Sequence, residues 1–189
     1  MGILIKLADA ITLLFLSIIT FGGMVMDCHL FLPSHYYLQH IIDSYIREKR
    51  HYLLLEMPEF YKALLYYHLF LNWPLAVISL YGFTFRKSWL NTTSLILAVS
   101  FASISVPVLG ELVGSGRGSA ELVRTYSIFF GLAIVVIFRS LLVPVLGELI
   151  GSGKGTAELI RTYSVLLGLA IVVIFCSVLA SPAAKTKTA

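Results

Sequence analysis

Four side chains that can exchange protons or hydrogen bonds stand inside or beside apolar stretches of the chain: Asp27, His51, His68 and Asn72. Hydrocarbon offers no water to such groups, so inside a membrane they usually face a bundle interior or a cavity. Asp27 is either a solvated carboxylate at the membrane boundary or a group that points into the bundle and attracts a cation. Asp27 and His68 together would form a minimal acid/base pair, which could move a proton between two atoms of a substrate.

The stretch that carries His68 and Asn72 runs from Tyr61 to Phe85, with Lys62 as its one charged residue. It is long enough to cross a bilayer as a helix. Pro74 lies in its middle and removes a backbone donor, which loosens the preceding turn. We therefore predict a span that lines a cavity, with His68 either in the cavity wall or hydrogen-bonded to a neighbouring helix.

Other aromatic and imidazole side chains have less specific surroundings. Trp73 supplies either aromatic pocket wall or ordinary packing. His51 ends the mixed-charge run Arg47 to His51, so we predict that it is solvated rather than functional. The loop before it also holds His29, His35 and His40. None of these three has a partner at the three- or four-residue spacing of a helical metal pair, so we expect no metal and no cofactor.

The composition of the chain indicates what kind of structure must position these polar side chains. Of 189 residues, 58% are hydrophobic and 13% charged, and the mean hydropathy is +0.90, which is typical of a polytopic membrane protein. The net charge of +4 comes from scattered residues, so we expect no nucleic-acid partner. The two cysteines offer neither a disulfide framework nor metal-ligand spacing.

We predict an all-α membrane helix bundle with a four-span core and an extra fifth span. The predicted spans are Leu7–Met26, Tyr61–Phe85, Leu90–Val113, Tyr126–Phe138 and Tyr163–Leu179. The first is longer than a signal-peptide core, and we expect it to be retained. The short loop Arg86–Trp89 holds two bases and no acid, which by the positive-inside rule places it and the N-terminus in the cytoplasm.

A tandem duplication explains the fifth span. Val106–Leu142 is repeated as Val143–Leu179, and nine positions differ, which leaves 28 of 37 identical. The chain thus divides into a four-span unit at 1–142, a near-copy at 143–180 and a polar tail at 181–189.

The glycine-rich loops of the two copies, GSGRGS and GSGKGT, lack the spacing of a phosphate-binding loop, because Gly155 separates Lys154 from Thr156. We expect each loop to be a turn before a helix capped by Ser119 or Thr156.

The number of spans stays open at this level. The fourth helix either ends at Arg139 or runs on to Ile150, in which case an unpaired Arg139 near its middle would cost roughly 2.5–3.5 kcal/mol. The tail, KTKTA, is similar to a dilysine retrieval signal of the endoplasmic reticulum. Such a signal works only when the tail is cytoplasmic, which requires an even number of spans.

Four stretches, in this order and spacing, resemble the sigma-2 receptor family, whose EXPERA domain is shared with the emopamil-binding sterol isomerases. They are MDCHLFLP, LLLEMPEFYKALLYYHLFLNWPLAVISLYG, RKSWLNTTSLI and VPVLGELVGSGRGSAEL. The resemblance covers Met1 to about Leu142 and is strongest to plant members. It implies a multi-pass protein of the endoplasmic reticulum membrane with a lipid-accessible pocket for sterols and amphipathic cationic amines.

The resemblance also assigns pocket residues. Asp27 occupies the family's first acidic position, His51 and His68 stand where the family has two further acids, and Asn72 stands in the position of a glutamine. A neutral imidazole cannot stabilise an ammonium group as a carboxylate does. The implied ligand-binding set is Asp27, His51, His68, Asn72 and Trp73, with no catalytic residue.

Three functions follow from this comparison. The first is a non-enzymatic binding protein for sterols or amphipathic cations in lipid handling, with membrane lipids around it and a membrane protein or a second copy as its protein partner. The second is a sterol double-bond isomerase that uses Asp27 and His68. The third is a degenerate paralogue with weakened binding.

Overall fold

A computed structural model describes residues 2–25, 40, 44, 46, 48, 51–151, 161, 162 and 165. Helix α1 is Gly2–Ser17 and continues as a π-helical segment, Ile18–Gly23. Helix α2 is Tyr52–Glu56, and α3 is Glu59–Tyr67. A second π-helical segment, His68–Asn72, joins α3 to α4, Trp73–Thr84. Helix α5 is Leu90–Gly114, and α6 is Ala120–Gly151.

Four of these helical stretches are long and apolar enough to cross a membrane: Ile5–Gly23, Glu59–Thr84, Leu90–Gly114 and Ala120–Val145. The described residues contain no β-strand. The prediction of an all-α, multi-pass membrane helix bundle is therefore confirmed. The predicted fifth span lies almost entirely outside the described residues, as do Asp27 and the polar tail.

The four spans form a ring. The first packs on the second through α4 and on the fourth, while α5 packs on both α4 and α6. Small side chains such as Ala76, Ala98 and Ala133 are fully buried in the shared core, where they let helix backbones approach closely. Large apolar side chains such as Phe70 and Ile78 are exposed, as expected of surfaces that face lipid rather than water.

Local sequence explains two irregular points. Pro74 is at the start of α4, and the π-helical segment lies directly before it, where the missing backbone donor was predicted to loosen a turn. At the start of α6, the Leu122 N–H donates to Ser119 Oγ at 3.2 Å. The predicted cap at Ser119 is confirmed, whereas Thr156 lies outside the described residues.

Candidate functional site

A cavity of about 300 Å³ lies inside the bundle, toward the end of the spans that is nearer α2. Each of the four described spans contributes to its wall, and most of the described lining is apolar. The lining residues are Ile18, Ile19, Gly22, Gly23, His51, Leu54, Tyr61, Leu64, Leu65, His68, Phe101, Ile104, Ser105, Val108, Leu122, Thr125, Tyr126 and Phe129. Such a volume is at the lower end of the range found for small-molecule sites.

One end of the cavity is polar. The His51 Nε2 atom lies 3.1 Å from the Tyr126 hydroxyl, and that hydroxyl lies 3.2 Å from the hydroxyl of Tyr61. The three side chains come from the N-terminal boundary of α2, from α6 and from α3, so the bundle has to assemble before they meet. They form a chain of hydrogen bonds that we call the polar trio: His51, Tyr61 and Tyr126.

The prediction that His51 is solvated was wrong. Only 4% of the residue is exposed, because α2 carries it down onto α6 rather than leaving it at the end of the charged run. Burial lowers the pKa of His51 from 6.5 to about 4, partly offset by a hydrogen bond to its own backbone. Desolvation disfavours the charged ring, so His51 is uncharged at neutral pH.

His68 lies in the cavity wall, which is one of the two positions expected for it. It is 7% exposed, and its ring meets the Phe101 ring edge to face, with centroids 5.8 Å apart. Gly23 approaches it from the first span, since a Cβ on that glycine would be 2.9 Å from His68 Cε1. The two π-helical segments therefore meet at His68 and Gly23.

Asn72 and Trp73 do not line the cavity. Asn72 is fully buried, and its Oδ1 accepts a hydrogen bond of 2.5 Å from Ser100 Oγ. The Trp73 indole N–H donates to the Thr20 carbonyl at 3.0 Å, a packing contact between the first two spans. Of the residues that the sequence singled out, His51 and His68 thus share the cavity, Asn72 and Trp73 lie beside it, and Asp27 is outside the described residues.

Tyr61 and Tyr126 line the cavity but were not among the predicted site residues, and the sequence contained a signal for the first of them. Tyr61, Leu64, Leu65 and His68 follow the spacing of one helix face, and all four line the cavity. That periodicity could have identified Tyr61 as a site residue once His68 was chosen. The contribution of Tyr126 could not have been found in this way, because it depends on how α6 packs against α2 and α3.

No protein-family model, no curated protein and no solved structure matches the chain. The fold and the cavity themselves define a class: a multi-pass α-helical membrane protein with a mostly apolar chamber inside its bundle.

Proposed function

We propose that this protein is a non-enzymatic binding protein for sterols or amphipathic amines in the membrane of the endoplasmic reticulum. The observation that carries the proposal is the cavity itself, a mostly apolar chamber lined by residues of four membrane spans, with hydrogen-bonding side chains at one end. A lipid with a rigid apolar body and one polar group matches that distribution.

Of the two proposed ligand classes, sterols and amphipathic amines, the polar trio favours the neutral sterols. His51 is uncharged at neutral pH, and tyrosine hydroxyls such as Tyr126 donate and accept hydrogen bonds without charge. A ligand hydroxyl can join this chain, whereas an ammonium group would need a carboxylate to offset its lost hydration. The polar trio supplies no carboxylate, so the described part of the site supports a hydroxyl-bearing sterol before a cationic amine.

Photolabelling tests the proposal. The protein in lipid nanodiscs is irradiated with a diazirine-bearing cholesterol analogue, and labelled peptides are identified by mass spectrometry. We expect labels on the α3 and α5 segments that line the cavity, and we expect excess cholesterol to reduce them. Labelling of folded protein that cholesterol does not reduce would overturn the proposal. Conversion of a sterol to its double-bond isomer would instead establish an enzyme.

A pair of tryptophan substitutions locates the binding. Leu65→Trp places a large ring at the cavity wall and should abolish labelling that competes with cholesterol. Ala63→Trp adds the same ring at an exposed position of α3 and should leave the labelling unchanged. Equal effects of the two variants would place the ligand on the outer surface of the bundle.

A further inference from the structure

Helix α2 covers the cavity from outside the membrane-spanning part of the bundle. Its Leu53 is fully buried and its Leu54 nearly so, and both belong to a core cluster with Val108, Leu112 and Leu122 of α5 and α6. Leu54 also lines the cavity, together with His51 at the boundary of the helix. The short helix is thus part of the cavity wall, at the end of the chamber that lies beyond the membrane-spanning segments.

A contact on the exposed side ties α2 to the loop between α5 and α6. Arg117 Nη1 donates to Glu56 Oε2 at 3.0 Å, and Nη2 donates to the other carboxylate oxygen. The hydrogen bond from Arg117 lowers the pKa of Glu56, as expected for a carboxylate paired with a cation. The Arg117 guanidinium also lies 4.5 Å from the centre of the Tyr52 ring, and the Tyr52 hydroxyl is 2.9 Å from Ser115 Oγ.

The junction between α2 and α3 is strained. Met57 has φ 46° and ψ 58°, a left-handed conformation that is unfavourable for a residue with a β-carbon. It precedes Pro58, whose own φ of −60° is fixed by its ring. Strain of this kind persists only where surrounding contacts hold it. The packing of Leu53 and Leu54 against α5 and α6 therefore helps to hold a strained backbone at the α2–α3 junction.

We propose that α2 is a lid over the ligand cavity and that the Glu56–Arg117 ion pair is its latch. The inference rests on the proposed function, because a lid matters only if a ligand enters the cavity. Both side chains of the latch are about half exposed, at 54% and 53%, so salt reaches the pair and its contribution is modest. The latch sets how often the lid opens rather than how tightly a ligand is held.

Exchange kinetics provide the test. A fluorescent sterol is bound to the protein in nanodiscs, and its dissociation is followed after addition of excess cholesterol. Glu56→Gln and Arg117→Gln should each speed association and dissociation by about two- to fivefold, as expected for an exposed ion pair, and should leave Kd unchanged. Salt of about 1 M should speed the wild type toward the variants, because it screens charges beyond roughly 3 Å.

The chain offers matched controls. Glu59 and Lys62 form another exposed ion pair, with 2.7 Å between Oε1 and Nζ, but both lie on α3 and do not bridge the lid to the loop. Glu59→Gln and Lys62→Gln should leave the exchange rates unchanged. The charge exchange Glu56→Arg with Arg117→Glu should return the rates toward the wild-type values.

A covalent latch gives a second measurement. The variant carries Glu56→Cys and Arg117→Cys in a background in which Cys28 and Cys176 are replaced by serine. A short bismaleimide that joins the two new cysteines should slow ligand dissociation at least tenfold. The control is the same variant with both cysteines capped by a monofunctional maleimide. Unchanged exchange in the joined protein and in both latch variants would mean that ligands pass through the bilayer side, and would overturn the lid while leaving the proposed function standing. Absence of sterol binding by the wild type would overturn the proposed function itself.

Discussion

Arg139 and Asp9 form an ion pair between the fourth span and the first. Both Arg139 Nε and Nη2 lie 2.9 Å from Asp9 Oδ1, and Nη1 donates to Asn91 Oδ1 on α5 at 2.5 Å. The arginine is therefore paired from two neighbouring helices, which explains how α6 continues past it to Gly151. The equivalent residue of the second copy is Cys176, which cannot form such an ion pair. Only the first copy therefore carries an arginine at this position.

Substitution of Asp9 and substitution of Arg139 should each destabilise the bundle, but to different extents. The Arg139 side chain is 8% exposed and that of Asp9 is 37% exposed, so Asp9→Asn removes the counter-ion of the more deeply buried charge, whereas Arg139→Gln leaves a charge that lies partly outside the protein core. We expect losses of about 3 kcal/mol for Asp9→Asn, in the range for broken buried ion pairs, and of about half that for Arg139→Gln. Thermal unfolding in detergent measures both.

The control for the ion pair is Lys6→Gln. Lys6 is one turn from Asp9 on α1 and is exposed, and its substitution should change stability by no more than about 0.5 kcal/mol. A larger loss for Arg139→Gln than for Asp9→Asn would show that packing of the long arginine chain, rather than its charge, stabilises the contact.

The spans of this bundle could be predicted from the sequence, but the contacts between them could not. Apolar runs predicted the four spans that the structure describes, and Pro74 predicted the loosened turn before α4, because these features depend on nearby residues. The partner of Arg139 is 130 residues away, and no local pattern links it to Asp9. The prediction for His51 failed for the same reason, since its charged neighbours suggested solvent while its burial depends on α6.

Gly23→Ala should weaken sterol binding. The added Cβ would lie 2.9 Å from His68 Cε1, which forces the imidazole to turn and changes the cavity wall. We expect the Kd for a fluorescent sterol to rise several-fold with little change in thermal stability, because only the far end of a side chain has to move. Gly22→Ala is the matched control, since its Cβ meets only Ile18 Cγ2 at 3.8 Å. Equal Kd values for both variants would place the ligand away from His68.

Gly118→Ala should destabilise the loop between α5 and α6. The new Cβ would be 2.5 Å from the Leu112 carbonyl oxygen, and backbone at the end of α5 cannot move aside as a side chain can. We expect a loss of about 1–3 kcal/mol, the usual range for overpacking, measured by thermal unfolding. Gly114→Ala, whose Cβ would have no neighbour within 4 Å, should lose no stability. Equal melting temperatures would show that the loop relaxes freely.

Acid should destabilise the protein through His51. Its pKa is about 4 in the folded chain against an ordinary 6.5, so between these values the unfolded chain binds more protons. Stability is therefore complete above about pH 6.5 and falls as the pH decreases. By pH 5 the total loss should approach about 2 kcal/mol, at about 1.4 kcal/mol for each pKa unit, and should appear as a lower melting temperature.

The pH profile has a direct control. His51→Gln should flatten the profile between pH 6.5 and 5, whereas replacement of the exposed His40 by glutamine should leave it unchanged. Carboxylates contribute mainly below this window, because their ordinary pKa values are near 4. An unchanged slope in His51→Gln would assign the acid sensitivity to other groups.

His68→Glu should change which ligands the cavity prefers. A carboxylate at this wall position would attract an ammonium group strongly, because the apolar surroundings screen charge weakly. We expect the affinity for an amphipathic amine to rise about tenfold at pH 7.5, equivalent to about 1.4 kcal/mol, and the affinity for a neutral sterol to fall. His68→Gln, which keeps a polar side chain without the charge, should produce neither change. If folded His68→Glu binds the amine no better than the wild type, the second span does not contribute to the ligand site. The description of the helix bundle would still stand, because its spans and their packing do not depend on this residue.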